Sequence, residues 1–129
     1  MVQNRRRIAG EDVSTWDLPG GQVEPGEQLT ETLVRDLREE VGLEPIGTAE
    51  FLFVQEGRRS HGGQLEFVWR SFFFRVHEWR GEPRAAAEVL DCRWIRRAEL
   101  PGVLTAPYHD SFRSWLGTGG SFFSSTWRD

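Results

Sequence analysis

The chain has 129 residues, of which 38% are hydrophobic and 28% are charged, and its formal net charge is −4 at pH 7. This size and balance predict one soluble globular domain rather than a disordered chain, and the acidic charge argues against binding to a nucleic-acid polymer. All 16 basic residues are arginine, which excludes chemistry that needs a lysine Schiff base or a P-loop lysine.

Glycine, proline and acidic residues dominate the stretch from Glu11 to Gly26, which we interpret as a loop centred on Leu18-Pro19-Gly20-Gly21. The next stretch, Gln28 to Val41, is predicted to be a helix because its apolar residues recur every four positions, at Leu29, Leu33, Leu37 and Val41. Gly42 comes directly after the last of them, where a glycine typically ends a helix in the left-handed conformation.

Beyond the helix the hydrophobic period changes to two, which indicates β-strands. The predicted elements are a strand over Glu50–Gln55, a turn over Gly57–Gly63, strands over Gln64–Trp79 and Asp91–Ile95, a helix over Pro107–Leu116 and a Gly/Ser-rich tail to Asp129. The strand over Gln64–Trp79 is apolar on both faces, as is typical of a central strand. Strands mixed with two helices predict an α/β (α+β) fold with helices packed on a mixed sheet.

Targeting signals are absent from the sequence pattern. No apolar run approaches the ~20 residues that span a membrane, and no apolar stretch follows the basic residues at the start, so we expect neither a membrane span nor a secretory signal. Cys92 is the single cysteine, which excludes an intrachain disulfide and is typical of a reducing compartment. These features favour a cytoplasmic protein.

Carboxylates cluster on the predicted helix. Asp36, Glu39 and Glu40 stand at positions i, i+3 and i+4, and therefore project from one face. Arg35 precedes Glu39 by four residues and can hold it by an ion pair, and Glu27 adds a fourth carboxylate near the helix start. Such a cluster of oxygen ligands, without histidine or cysteine, favours Mg²⁺ or Mn²⁺ over zinc. A solvated acidic face is the alternative interpretation.

The segment from Gly21 to Leu43 resembles the Nudix box, the sequence motif of the Nudix hydrolase family. The positions that match it at the required spacing are Gly21, Glu27, Arg35, Leu37, Glu39, Glu40, Gly42 and Leu43. A chance match of so many positions in one chain has a probability on the order of one in a million. The spacing therefore favours the functional interpretation of the acidic cluster.

The resemblance implies a Nudix-type α/β/α sandwich with a mixed sheet, formed by residues 1–129 as a single domain. It implies hydrolysis of a nucleoside diphosphate linked to another group, with Mg²⁺ or Mn²⁺ required. The substrate is then a small nucleotide, by default a nucleoside triphosphate as in MutT-like enzymes. The implied metal site consists of Gly21, Glu27, Asp36, Glu39 and Glu40, and the implied catalytic residues are Arg35, Asp36, Glu39, Glu40 and Glu88.

One box position departs from the family pattern. The family usually has glutamate where this chain has Asp36, and aspartate withdraws the carboxylate by one methylene, ~1.5 Å, which is enough to slow catalysis. Glu88 is a second candidate for base or metal ligand, because several family members place a functional glutamate in this stretch. An ordinary surface acid is the alternative for Glu88.

The N-terminal region also departs from the pattern. Only 20 residues precede Gly21, so we expect the usual first strand to be lacking and interpret Val2–Arg7 as the remnant of the second strand. A missing strand leaves an open sheet edge. Either another copy of the chain, giving a homodimer, or the C-terminal segment is expected to cover it.

Substrate contacts are less specific in the sequence. Five arginines are candidates for phosphate contacts, although a solvated surface is favoured for them: Arg5, Arg6, Arg7, Arg58 and Arg59. Three tryptophans could stack a base, with a core position favoured for the second of them: Trp16, Trp69 and Trp79. His61 could be a mobile contact, and an ordinary loop histidine is favoured.

A second function remains open at this point, namely a Nudix-fold nucleotide-binding or regulatory module with weak or no turnover. Asp36 and the short N-terminal region support it. The box residues that the chain retains argue against it, since a binding module has no need of them: Glu27, Arg35, Glu39 and Glu40.

Overall fold

The computed structural model describes residues 1–128, which divide into two compact units. The first unit comprises Met1–Glu50 and Val76–Arg97, and the second comprises Phe51–Arg75 and residues 98–128. The elements of the first unit are β1 (Val2–Ile8), β2 (Glu11–Asp17), α1 (Leu29–Val41), β3 (Glu44–Ile46), β6 (Glu78–Arg80) and β7 (Asp91–Cys92). Those of the second are β4 (Glu50–His61), β5 (Gln64–Arg75), α2 (Leu100–Val103), α3 (Asp110–Thr118) and β8 (Phe122–Arg128).

The first unit is built on an N-terminal hairpin. Strands β1 and β2 pair antiparallel from Val2 opposite Asp17 to Ile8 opposite Glu11, and β7 pairs with the other side of β1. The strand predicted over Val2–Arg7 is confirmed. The loop predicted from Glu11 onward is wrong over β2, because the Ala9-Gly10 turn, with φ of 51° and 80°, folds this segment back onto β1.

Helix α1 packs its apolar stripe against this hairpin, as the four-residue spacing predicts. Leu37 and Val41 are buried together with Val2 of β1 and Leu43, which follows the helix. The helix ends at Gly42, whose φ of 69° lets its N–H reach the carbonyl of Arg38 at 3.2 Å. The predicted helix and its glycine cap are therefore confirmed. Of the three carboxylates predicted to cluster on the helix, Asp36 is buried, Glu40 is half-buried and Glu39 is exposed.

The second unit holds a three-stranded sheet in the order β5-β4-β8. Strand β8 runs parallel to β4, from Phe122 beside Val54 to Arg128 beside Ser60. The predicted Gly/Ser-rich tail is wrong over β8, because main-chain pairing with β4 makes this polar segment a strand. The C-terminal segment thus covers one side of β4, while the edge expected from a short N-terminal region stays a prediction.

Several predicted bounds in this region are also wrong. Strand β4 continues to His61, and the predicted seven-residue turn shrinks to Gly62-Gly63, both with positive φ. The long strand predicted to Trp79 is broken between β5 and β6. Strand β5 is an edge strand rather than a central one, and β7 covers only the first two residues of its predicted strand.

Aromatic side chains form the core of the second unit. The fully buried Phe53 stacks on Phe73 at 4.3 Å between ring centroids, with Trp115 at 5.3 Å and Phe123 at 5.4 Å. These rings come from β4, β5, α3 and β8, so they join four elements that are distant in sequence. With helices and both parallel and antiparallel strand pairs, the predicted α/β (α+β) class is confirmed. Within residues 1–128 no helix has the length and apolar character that crossing a bilayer requires.

Gly57 of β4 is required by close packing. A Cβ atom at this position would overlap the indole ring of Trp69 in β5. We expect Gly57→Ala to lower the free energy of unfolding by about 1–3 kcal/mol, because the ring or the strand must move. The midpoint of chemical denaturation measures this loss.

Gly117→Ala is the matched control, because Gly117 lies in α3 with open space around its Cβ position. Alanine should stabilise the helix there by about 0.5–1 kcal/mol. Equal effects of the two substitutions would contradict the proposed role of the Trp69 contact.

Candidate active site

Arg35 of α1 binds the loop that precedes the helix. Its Nε and Nη2 donate to the two carboxylate oxygens of Glu27 at 2.8 and 3.0 Å, and Nη2 also donates to the carbonyl of Gln22 at 2.9 Å. The Thr32 hydroxyl adds a third hydrogen bond to Glu27 at 2.9 Å. The hydrogen bonds from Arg35 lower the pKa of Glu27 to about 2. Glu27 is therefore an ionised brace that fixes the loop to the helix.

The remaining donor of Arg35, Nη1, faces three further carboxylates. It lies 3.3 Å from Asp36, 3.4 Å from Glu39 and 3.7 Å from Glu24. The predicted ion pair between Arg35 and Glu39 is present, although 59% of the Glu39 side chain is exposed, so that solvent weakens the pair. The positive charge of one guanidinium thus offsets part of the repulsion among these carboxylates.

Asp36 is buried against the glycine pair that leads into the box. A Cβ atom at Gly21 would lie only 2.8 Å from Asp36 Oδ1, so this approach requires glycine at position 21. Burial raises the pKa of Asp36, and the nearby Arg35 partly offsets that effect. Asp36 is the most enclosed carboxylate of the box.

Glu40 lies beside the same loop. Its Oε2 accepts a hydrogen bond from the backbone N–H of Gly20 at 2.8 Å. Burial, with an added contribution from the charge of Asp36, raises the pKa of Glu40 to about 7. Asp36 and Glu40 thus lie beside the same loop, and burial disfavours the ionised form of each carboxylate.

A buried acid of β2, Asp17, was not singled out from the sequence. Its Oδ2 accepts hydrogen bonds from Asn4 at 2.9 Å and Thr15 at 3.0 Å, and lies 3.3 Å from the Arg6 guanidinium. The charges of Arg6 and Asp17 act on Glu40 in opposite directions. Arg6 therefore pairs with Asp17 while 45% of its side chain stays exposed, in keeping with the surface position that the sequence favoured. The one available signal was the position of Asp17 directly before Leu18-Pro19-Gly20.

Glu88 lies apart from the carboxylates of α1 in the chain and is exposed. Its segment is attached to the end of that helix, because Arg84 N–H donates to Val41 O and Ala86 N–H donates to Glu40 O, both at 3.0 Å. The structure thus connects the segment of Glu88 to the backbone of Glu40. Within residues 1–128 the side chains of Glu88 and Glu40 form no hydrogen bond, so a catalytic role for Glu88 stays a prediction.

The aromatic and basic candidates are divided between the two units. In the first unit, Trp16 lies under the Arg93 guanidinium at 5.4 Å, and the exposed Trp79 lies 5.3 Å from Trp94. In the second, Trp69 covers Gly57, in agreement with the favoured core position. Arg59 is buried in β4, with its guanidinium 4.1 Å from the Trp127 ring centre, so the predicted solvated turn is wrong for it.

The donor set fits a hard divalent cation. Within residues 1–128, no three histidine, cysteine, aspartate or glutamate side chains form a ready-made metal cage, and both oxygens of Glu27 are bound by Arg35. Asp36 and Glu40 nevertheless supply two carboxylates, which matches the one or two that Mg²⁺ typically takes from a protein, the other positions going to water and phosphate. A cation there would offset the charge that burial disfavours.

The raised pKa of Glu40 predicts how stability depends on pH in protein freed of metal. Glu40 binds its proton more tightly in the folded protein, where its pKa is about 7, than in the unfolded chain, where its pKa is the ordinary value of 4.5. Protonation of Glu40 therefore stabilises the fold fully below pH 4.5, and this stabilisation is lost as the pH rises through about 7. Glu40→Gln should remove this loss. The difference in melting temperature between Glu40→Gln and wild type should be widest near pH 8 and narrow towards pH 5.

Glu44 gives a control of opposite sign, because its bidentate pair with Arg38 lowers its pKa. Glu44→Gln should melt at a slightly lower temperature than wild type at neutral pH. This difference in melting temperature should disappear only in acid, where Glu44 of the wild type is protonated and loses its ion pair. A Glu40→Gln difference that is constant with pH would contradict the assigned burial of Glu40.

Comparison with known proteins identifies the family. A family model described as the NUDIX domain matches residues 1–116. The 8-oxo-dGDP phosphatase NUDT18 of Mus musculus is 34% identical over 116 residues, which cover 85% of this chain and 31% of that protein. The putative 8-oxo-dGTP diphosphatase 2 of Mycobacterium tuberculosis (strain ATCC 25618 / H37Rv) is 37% identical over 101 residues, which cover 78% of this chain and 65% of that protein. The chain spans less than two thirds of either relative.

A solved structure supports the same assignment at the level of the fold. The mutator MutT protein from Bacillus halodurans superposes with a TM-score of 0.72 at 23% identity, over 88% of this chain and 74% of that chain. The predicted Nudix-type fold is confirmed by this likeness. Since the matched residues 1–116 include the whole box and its Arg35-centred ion pairs, the chain belongs to the NUDIX domain family.

Proposed function

We propose that residues 1–129 act as a single Nudix domain that hydrolyses the pyrophosphate of a nucleoside diphosphate linked to another group, with Mg²⁺ or Mn²⁺ required. The observation that carries this proposal is the pair of enclosed carboxylates, Asp36 and Glu40, held against the backbone of Gly20 and Gly21. Burial raises the pKa of both. Such a pair has little structural value alone and becomes favourable beside a divalent cation.

The substrate class follows from the relatives and the charge of the cluster. A metal between carboxylates and phosphates lets an acidic protein bind an anionic nucleotide. Two relatives carry names that refer to 8-oxo-dGDP and 8-oxo-dGTP, so we propose these nucleotides as the first to test, with nucleoside triphosphates in general as the default. The cytoplasmic location, the lack of a nucleic-acid polymer partner and the homodimer stay predictions.

The roles of the box residues follow from their contacts. Asp36 and Glu40 would hold the metal, with the exposed Glu39 beside them, while Arg35 and Glu27 keep the loop and helix in register. When bound, the metal neutralises phosphate oxygens and lowers the pKa of a bound water.

The reaction needs a proton acceptor. The oxygen of a water molecule forms a bond to one phosphorus, and the bond from that phosphorus to the bridging oxygen breaks, so that the other phosphate group leaves with the bridging oxygen. A carboxylate takes the proton of the attacking water. Glu40 is one candidate for this acceptor, in place of a role as metal ligand and not in addition to it. Glu88 is the second candidate, and loss of turnover in Glu88→Gln with unchanged metal affinity would assign the proton to it.

An activity panel tests the function directly. Purified protein is mixed with 8-oxo-dGTP, 8-oxo-dGDP and the four common nucleoside triphosphates, with Mg²⁺, Mn²⁺ or chelator, and phosphate or pyrophosphate release is measured. We expect metal-dependent release that Glu40→Gln abolishes and the control Glu44→Gln retains. Binding of nucleotide without release under all conditions would overturn the hydrolase proposal.

That outcome would support the second candidate, a nucleotide-binding module with weak turnover. The shorter acid at position 36 is the observation that favours it. If the missing methylene limits turnover, Asp36→Glu should raise the rate by about tenfold or more. An unchanged rate would show that the length of this side chain does not limit catalysis.

Gly21→Ala tests the enclosure of Asp36. Because the added Cβ would meet Oδ1 at 2.8 Å, the carboxylate must move, and we expect kcat to fall by about 10²-fold. Gly20→Ala is the matched control, since nothing lies within 4 Å of its Cβ position. Equal losses of kcat in the two variants would contradict the role given to the Asp36 position.

Arg35→Lys tests the brace. Lysine keeps the charge and loses the fork that binds both oxygens of Glu27, so the loop and helix should lose register and kcat should fall by about 10²-fold. Arg38→Lys is the control on the same helix, because Arg38 forms a comparable pair with Glu44 away from the box carboxylates. A similar fall in Arg38→Lys would mean that helix stability, and not the brace, sets the rate.

A further inference from the structure

Arg6 lies on the face of the N-terminal hairpin that packs against α1. The register between β1 and β2 is continuous over the whole of β1, so its side chains alternate regularly and Arg6 shares a face with Val2. Val2 is buried together with Leu37 and Val41 of α1. Arg5 is exposed on the opposite face of the same strand. Of these two neighbouring arginines, Arg6 alone is therefore on the side of the helix.

The buried Asp17 holds the guanidinium of Arg6. Asp17 is 4% exposed, and its Oδ2 lies 3.3 Å from Arg6 Nη2. The same oxygen accepts hydrogen bonds from Asn4 and Thr15, which fix it in place. Within residues 1–128 the other polar contact of the guanidinium runs from Nη1 to the carbonyl of Arg5 at 3.3 Å. Because an arginine has more N–H groups than these contacts use, Arg6 keeps donors for a ligand.

The guanidinium lies close to Glu40 without pairing with it. Asp17, to which Arg6 is bound, leads directly into Leu18-Pro19-Gly20, and the N–H of Gly20 donates to Glu40 Oε2 at 2.8 Å. Burial raises the pKa of Glu40, and the charge of Arg6 offsets only part of this effect. Arg6 is therefore a half-exposed cation beside the carboxylates that would hold the metal, and its ion pair is with Asp17.

A phosphate group fits a cation in this position. The pyrophosphate of the proposed substrate carries several negative charges, and a metal ion that is shared with two carboxylates balances only part of them. Arginine binds phosphate oxygens by charge-assisted hydrogen bonds, often through two N–H groups at once. A guanidinium that a buried carboxylate already orients loses little freedom on binding, which favours affinity.

We propose that Arg6 binds a phosphate group of the substrate and that Asp17 positions the guanidinium for this contact. The inference rests on the proposed function, because it takes the substrate to be a nucleotide with a pyrophosphate group. The alternative role for Arg6 is to balance the charge of Glu40 without touching the substrate. That role makes a different prediction, since removing the guanidinium would then tighten metal binding and would not weaken nucleotide binding.

The experiment measures, by calorimetric titration of the full chain at saturating Mn²⁺, the binding of a dGDP analogue with a methylene group in place of its bridging oxygen. The analogue has no phosphate bridge that water can cleave, so binding is measured apart from turnover. Arg6→Ala should raise its dissociation constant by about tenfold or more. Arg6→Lys should raise it less, because lysine keeps the charge and loses the fork. Arg5→Ala is the matched control and should bind as the wild type does.

Asp17→Asn tests the positioning role. It should raise the dissociation constant of the analogue by a smaller factor than Arg6→Ala does. In the Arg6→Ala background it should have no further effect, because Asp17 acts on the substrate through Arg6. Equal factors in the two backgrounds would show that Asp17 acts without Arg6, which contradicts its positioning role. Circular dichroism melting curves verify that each variant is folded.

Arg6→Ala that binds the analogue as the wild type does overturns the inference and leaves the proposed hydrolysis untouched. The inference is also overturned if Arg6→Ala weakens Mn²⁺ binding without nucleotide by the same factor, because the metal site is then what changed. Electron paramagnetic resonance measures this Mn²⁺ affinity. A wild type that binds the analogue but cleaves no nucleotide in the activity panel overturns the hydrolase proposal alone. A wild type that does not bind the analogue overturns both.

Discussion

One bidentate ion pair, from Arg35 to Glu27, joins the irregular loop before α1 to the helix itself. A loop of glycines, prolines and acids has little apolar surface to bury, so it cannot hold its own shape by packing. The guanidinium supplies what packing does not, because its planar fork binds the loop carboxylate and the carbonyl of Gln22 together. Through this contact the backbone of Gly20 and Gly21 stays beside the carboxylates of the helix.

The same guanidinium explains why so many acids can be close together. It lies within 4 Å of Glu24, Glu27, Asp36 and Glu39, and it balances charge mainly on the outer side of the cluster. Asp36 and Glu40, on the inner side, keep raised pKa values from burial. Burial therefore disfavours the ionised form of both carboxylates, and the nearby arginines, Arg35 at Asp36 and Arg6 at Glu40, offset this effect only in part.

The sequence predicted elements whose contacts are local. Helix α1 follows from a four-residue stripe and a capping glycine, both within one short segment, and the box gave the acidic face and Arg35. The sequence did not predict β8, because its strand character comes from pairing with β4 and not from its own polar composition. Asp17 was missed for the same reason, since Asn4 and Arg6, across the hairpin, make it a buried acceptor. Apolar residues on both faces of β5 suggested a central strand, but the structure leaves many of them exposed at an edge.

Strand β4 acquires its two neighbours by very different routes. Its hairpin with β5 closes over two glycines and can form in about 1–10 μs, whereas β8 must return across α2 and α3 before it can lie parallel to β4. Loop closure over such distances is slow. Until it occurs, the main chain of β4 and the ring of Phe53 lack the cover that β8 and Phe123 provide. A chain in which β8 has not yet docked therefore exposes one side of β4, and an exposed strand edge of this kind favours aggregation.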